Sequence, residues 1–272
     1  SEHDGIRGRK LNAVTIKKEL ATLRLLWKWA IASGEIPARD FPSIGLRYPK
    51  TSELPPFQTL ERVLALTENC EADSPLAKDL WATVFLNREE VEELLDLVQK
   101  NAHHDFLYPM FVLAAHTGAL RSEIMRSLIT DIGTDKITIR EQKRRKGKES
   151  TREVPLTSRL QEALTSWKLK HPGNTTSTSC HTRNKWCLSN VGDALSVDEM
   201  NRHLKTVLKA SRFKHLRGWH VFRHSFCSNC AAAGVDQRLI DAWVGHTTDE
   251  MRRRYRHLFP NRSQQALKEV FG

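Results

Sequence analysis

Between residues 12 and 33 the apolar positions Ile16, Leu20, Leu23, Trp27 and Ala30 recur at helical spacing, and Gly34 stands ready to end the helix. Lys17, Lys18, Arg24 and Lys28 occupy the rest of its surface, so the pattern predicts an amphipathic helix with a basic face. Only about ten polar residues precede it, too few to cover its apolar stripe, so the domain it belongs to reads as truncated. Pro37, Pro42, Pro49, Pro55 and Pro56 then interrupt the periodicity, and the stretch from Arg47 to Pro56 reads as an extended basic strap. Residues 57 to 86 carry a weak helical pattern. From Asn87 to Glu90 a capping box opens a helix with Val91, Leu94, Leu95 and Val98 on one face.

Beyond that point the pattern changes. Tyr108 to His116 is apolar almost throughout and predicts a buried helix, and Arg121 to Leu128 predicts another. Residues 137–140 and 153–156 alternate as two short strands, joined by a basic hairpin that runs from Lys143 to Lys148. Ser158 with Gln161 and Ser196 with Glu199 have capping-box spacing ahead of two further amphipathic helices. The expected fold is mainly α with a small antiparallel β-sheet, an α+β class. The expected organisation is a partial helical domain and linker over 1–50, a helical linker region over 51–84, and a main domain over 85–272.

Composition narrows the function. Lys and Arg outnumber Asp and Glu by 43 to 32, giving a formal charge of +11 and a pI near 9.6. Such a balance favours a polyanionic partner, most commonly nucleic acid. The longest apolar runs, such as Met110 to Ala115, fall far short of the roughly 20 residues a membrane span requires. The first residues carry no secretory pattern, and a chain opening on Ser reads as a trimmed piece. Five sparse cysteines, Cys70, Cys180, Cys187, Cys227 and Cys230, read as reduced thiols of a cytoplasmic protein. The spacings of Cys227 with Cys230 and of Cys180, His181 and Cys187 have a metal-like look, but core packing is the preferred reading and no metal is expected.

Three segments set unusual polar residues in apolar surroundings: His116 to Ile124, the basic hairpin, and His220 to Leu258. His220 and Arg223 are three apart, so on a helical turn they face the same way and suit a single anion. His246 follows His220 by 26 positions, and Tyr255 follows His246 by nine. The order Arg121, hairpin lysine, His220-x-x-Arg223, Gly245-His246, Tyr255 resembles the catalytic domain of the tyrosine recombinases, the phage-integrase and Xer-type family, over residues of about 85 to 260. The N-terminal helix resembles, more weakly, the end of that family's core-binding domain.

The resemblance implies a DNA strand transferase that needs no metal and no nucleotide cofactor and forms a 3′-phosphotyrosyl intermediate. Arg121 and Arg223 would grip the phosphate, since a pentacoordinate transition state gains charge that guanidiniums meet bidentately. Tyr255 would be the nucleophile, although a late tyrosine is otherwise a packing residue. His220 and His246 would donate to phosphoryl oxygens or move protons. A hairpin lysine would protonate the leaving 5′ oxygen: Lys143 counted forward from the first strand, Lys146 counted back from the second. Glu123 resembles the acidic residue that orients the arginine before it.

Arg144, Arg145 and Lys148, with Lys17, Lys18, Arg24 and Lys28, are expected on DNA phosphates. Double-stranded DNA is the implied partner, and a homo-oligomer, a tetramer on paired sites, the implied assembly. Residues 259–272 would be the exchanged tail. Two other readings remain: the same chemistry in a type IB topoisomerase or hairpin resolvase, and a DNA-binding regulator without cleavage.

Overall fold

The computed structural model of the chain describes residues 13–42, 56–71, 74–141, 150–182, 191–245 and 253–254. The chain divides into two compact units, Ser1–Leu54 and Pro55–Gly272. In the first, helix α1 spans Ala13–Ala32, as the periodicity predicts. Ile16, Leu20, Trp27 and Ala30 are half-buried while Leu23 is exposed, and Lys17, Lys18, Arg24 and Lys28 face solvent. Gly34, at φ 75°, ends the helix in the left-handed region. The returning chain packs Phe41 edge-on against Trp27 at 5.7 Å, and the Trp27 indole donates to the Arg39 carbonyl at 3.1 Å.

The second unit starts earlier than the hydrophobic pattern suggested. The region 51–84, read as a helical linker from sequence, contributes to β1 (Gln58–Thr59), α2 (Leu60–Thr67), α3 (Pro75–Trp81) and β2 (Val84–Phe85). Leu60, Val63, Ala77, Trp81 and Val84 are buried in the main core, so this segment is a structural layer of the unit. β1 and β2 pair in parallel, Gln58 with Val84 and Thr59 with Phe85. The Ser225 hydroxyl accepts the Leu86 amide at 2.9 Å and Asn229 donates to the Leu86 carbonyl at 3.1 Å, tying this layer to the helix that carries the candidate site.

The core is built around α5 (Leu107–Thr117), nearly all of whose residues are buried. It packs against α4 (Arg88–Asn101), α7 (Ser158–Lys170) and α9 (His220–Ala232). Such a helix, apolar all round, is the natural centre of a mainly α domain. Asn87 and Glu90 form the expected capping box of α4, as Ser196 and Glu199 do for α8 (Val197–Leu208). For α7 the cap is Thr157, one residue before the expected Ser158; its hydroxyl accepts the Leu160 amide at 3.3 Å.

The one antiparallel sheet among the described residues pairs β3 (Lys136–Arg140) with β4 (Thr151–Pro155), in register Lys136 with Pro155 through Arg140 with Thr151. Ile137, Ile139, Arg152 and Val154 point into the protein. No helix among the described residues is long and apolar enough to cross a membrane.

Candidate active site

Arg121 opens α6 (Arg121–Arg126), immediately after the turn that ends α5. That turn requires Gly118, whose φ is 61° and whose hypothetical Cβ would lie 3.0 Å from Phe226 and 3.1 Å from Val244. Arg223 sits one turn into α9 and is buried. One Nη donates to the Gly118 carbonyl at 2.9 Å and the other to the Val244 carbonyl. Those carbonyls lie at the C-termini of α5 and α10 (Gln237–Val244), where the partial negative charge of a helix accumulates. Both helices end on left-handed glycines, Gly118 and Gly245. Arg223 therefore staples two helix ends together at the centre of the site.

His220 is the first residue of α9, with its ring reaching solvent, and its pKa lies below the ordinary 6.5. Burial of the ring is the main cause, and the charges of Arg223 and Arg121 add to it. The shift favours the uncharged imidazole, which carries one donor and one acceptor nitrogen. His220 and Arg223 share the first turn of α9, as the spacing of the sequence predicts. Arg121 also donates to the Asn201 side chain of α8 at 3.1 Å. It lines a cleft of about 890 Å³ whose walls include Lys205, Lys209, Lys214 and Arg217. A cleft so cationic and solvent-open matches a polyanion.

Glu123 is buried in the first turn of α6. Its Oε2 accepts the Leu120 amide at 2.8 Å and Arg152 at 2.7 Å, and its Oε1 accepts Arg152 at 2.9 Å. Burial pushes the carboxyl up, but the Arg152 hydrogen bonds and charge, the Leu120 amide and the Arg223 charge outweigh it and hold the pKa below the ordinary range. The partner Glu123 grips is thus Arg152, with Arg223 near enough to act on its charge.

Arg152 was not singled out from sequence. From the inner face of β4 it donates through Nε to the Trp243 carbonyl at 2.6 Å and through Nη1 also to Glu141 at 3.2 Å. One buried guanidinium thereby joins α6, the sheet and the end of α10. Its sequence signal was present, since Arg152 shares strand parity with the inward Val154 and a cation at such a position needs a partner. Asn201, eighty residues from Arg121, had no such signal.

His224, beside Arg223, stacks on Phe57 at 4.1 Å and packs structurally, as expected. The Arg254 guanidinium lies over the Phe57 ring, 3.7 Å from its centroid. Cys227 is buried in the smaller core cluster with Phe57, Phe85, Ile240 and Val244, in keeping with packing, and burial pushes the Cys230 thiol up to about 12. Lys143, Lys146, Arg144, Arg145, Lys148, His246, Tyr255, Cys187 and the tail 259–272 lie outside the described residues.

The unit is mainly helical with a small antiparallel sheet among the described residues, Arg121 lines a basic cleft, and His220 and Arg223 share the first turn of α9, a set of basic side chains suited to an anionic partner. Residues 84–262 match the phage integrase family, and the chain belongs to that family, the tyrosine recombinases. It is 28% identical over 166 residues to the type 1 fimbriae regulatory protein FimB of Escherichia coli strain K12, covering 60% of this chain and 78% of that protein. It is 25% identical over 194 residues to the integrase of Escherichia phage 186, covering 71% of this chain and half of that protein. The Tn1549 transposon integrase, solved in complex with transposon right end DNA, shares the fold with a TM-score of 0.58 at 16% identity, covering 96% of this chain and 81% of that one.

Proposed function

We propose that this chain cleaves and rejoins DNA strands at specific sites through a 3′-phosphotyrosyl intermediate. The observation that carries the proposal is the pairing of His220 with Arg223 on the first turn of α9, together with Arg121 on the wall of a cationic cleft. In the reaction, the Tyr255 phenol oxygen attacks phosphorus and the bond from phosphorus to the 5′ oxygen breaks. The phenolic proton leaves to a histidine, His220 or His246, and Lys143, or Lys146 beside it in the hairpin, protonates the departing 5′ oxygen. Arg121 and Arg223 meet the charge that grows on the phosphoryl oxygens. The phosphotyrosine conserves the energy of the broken diester, so attack by a 5′ hydroxyl reverses the step without an external energy source.

Arg254, directly before Tyr255, lies over Phe57, Phe57 stacks on His224, and the His224 ring is 6.1 Å from that of His220. That series of rings links Arg254, the residue before Tyr255 in sequence, to the start of α9, and supports the assignment of Tyr255 as the nucleophile. Duplex DNA is the substrate in this reading. Arg144, Arg145 and Lys148 of the hairpin and Lys17, Lys18, Arg24 and Lys28 of α1 hold its phosphates, in a partial core-binding domain over 1–50. The active assembly is a tetramer on paired sites, exchanging residues 259–272, and it works on nucleoid DNA in the cytoplasm.

A second reading, DNA binding without cleavage, draws on the partners of the two arginines, since Arg121 is held by Asn201 and Arg223 by two carbonyls. The test is to incubate the protein, in chelator, with nicked duplexes tiled across the DNA that flanks its gene. An SDS-resistant protein–DNA band on a subset of duplexes is expected. Relaxation of any supercoiled plasmid would favour the topoisomerase chemistry, and tight binding with no adduct on any duplex would favour the regulator.

A further inference from the structure

Away from the site, in the layer where the α4–α5 turn meets α8, His103, His104 and His203 converge. One ring nitrogen from each lies within 4.8 Å of the others. His104 and His203 are both more than nine-tenths buried, and His103 is half-buried. We propose that these three imidazoles form a binding site for a divalent ion of the zinc class, which clips the α4–α5 turn to α8.

Several features of the three rings support the assignment. The Nδ1 of His104 is buried with no hydrogen-bond partner among the described residues, and a bound ion is one of the few ways to satisfy such an atom. Three imidazole nitrogens with no thiolate among them suit zinc, nickel or copper rather than magnesium or calcium.

The surroundings match as well. Phe106 stacks on His104 with centroids 5.1 Å apart and meets His203 edge-on at 5.3 Å, making an apolar wall that excludes competing water. Glu199 lies one helical turn before His203 on α8 and pairs with His181 at 3.2 Å. Zinc–nitrogen bonds of about 2.0–2.1 Å require the three atoms to draw in by roughly an ångström, within reach of small side-chain rotations. A tetrahedral ion would leave its fourth position to water.

The placement gives the site a consequence. Asn201, which holds Arg121, is two residues before His203 on α8. Fixing α8 to the α4–α5 turn therefore fixes one wall of the cationic cleft. The ion takes no part in strand transfer.

The experiment uses the full chain, stripped with a chelator and then given one equivalent of Zn2+ or Co2+. Wild type should retain about one zinc per chain through desalting, show the visible band of four-coordinate cobalt, and unfold at a higher temperature with zinc than without. His103→Ala, whose side chain is only partly buried, should match the stripped wild type in thermal midpoint yet bind zinc at least 10–100-fold more weakly and lose the cobalt band. His203→Gln should behave likewise, and should it fail to fold, His103→Ala decides alone. Retention of no zinc by wild type, or equal retention by His103→Ala, would overturn the proposal and leave a ring-packed histidine cluster.

Discussion

Replacing Arg152 by Met removes the charge at the centre of the site while keeping most of the side-chain volume. Arg152 and Glu123 are each only 7% exposed at the side chain, so solvent barely screens the pair. The substitution leaves Glu123 buried with its two guanidinium bonds gone, and breaking such a pair by deleting one partner costs about 3–5 kcal/mol. For a unit the size of Pro55–Gly272 each kcal/mol moves Tm by roughly 2–4 °C, so a fall of about 6–20 °C at pH 7 is expected by calorimetry.

The pH dependence follows from the same pair. Glu123 has a folded pKa below its ordinary 4.5, so its stabilising contribution is present above that value and lost as pH falls through the lower folded one. The gap between wild type and Arg152→Met should therefore be widest at neutral pH and narrow below about pH 4.5. Adding Glu123→Gln should recover part of the loss, because no buried charge is then stranded. A deficit under about 1 kcal/mol, or one of equal size with and without Glu123→Gln, would refute the reasoning.

Gly118→Ala should destabilise by about 1–2 kcal/mol for its left-handed φ alone, with more from the contacts at 3.0 and 3.1 Å to Phe226 and Val244; urea titration measures it. Arg223→Lys should lose both carbonyl bonds and so cost about 2–4 kcal/mol of stability as well as activity, whereas Arg121→Lys should leave stability within about 1 kcal/mol and bind DNA normally while cleavage falls about 100-fold. Equal stability losses in the two would contradict the staple assigned to Arg223. Lys143→Ala should cut a normal substrate poorly and regain cleavage on one with a sulfur leaving group that needs no proton; rescue in Lys146→Ala alone would move the role there.

Elements whose cause is local were legible in the sequence. The capping boxes at Asn87 and Ser196, the buried α5 and the alternation of β3 and β4 are each specified by residues within a turn of one another. Thr157 displaced Ser158 as a cap because two adjacent hydroxyl residues compete, and the one with extended backbone wins. β1 and β2 were not legible, since two-residue strands exist only through their pairing across the chain. α2 and α3 are too short for periodicity to speak.

At the site, His220 and Arg223 were readable from a three-residue spacing. Of the partners that position the charges, Asn201 and Val244 were not, because they reach it from distant segments, while Arg152 offered only its inward parity on β4. The same holds for the histidine cluster, in which the adjacent His103 and His104 meet His203, about a hundred residues further on, only in the folded chain.

The central claim is that Tyr255 forms the covalent bond to DNA. Tyr255→Phe removes one oxygen and leaves the ring and the neighbouring arginines, so binding should be unchanged. A suicide substrate, nicked so that the short 5′-hydroxyl fragment diffuses away, should trap wild type on the 3′ phosphate, with the DNA mapping to the peptide that holds Tyr255, and should trap none of the Phe variant. An adduct that persists in Tyr255→Phe, or maps to another Tyr, Ser or Cys, would contradict the account.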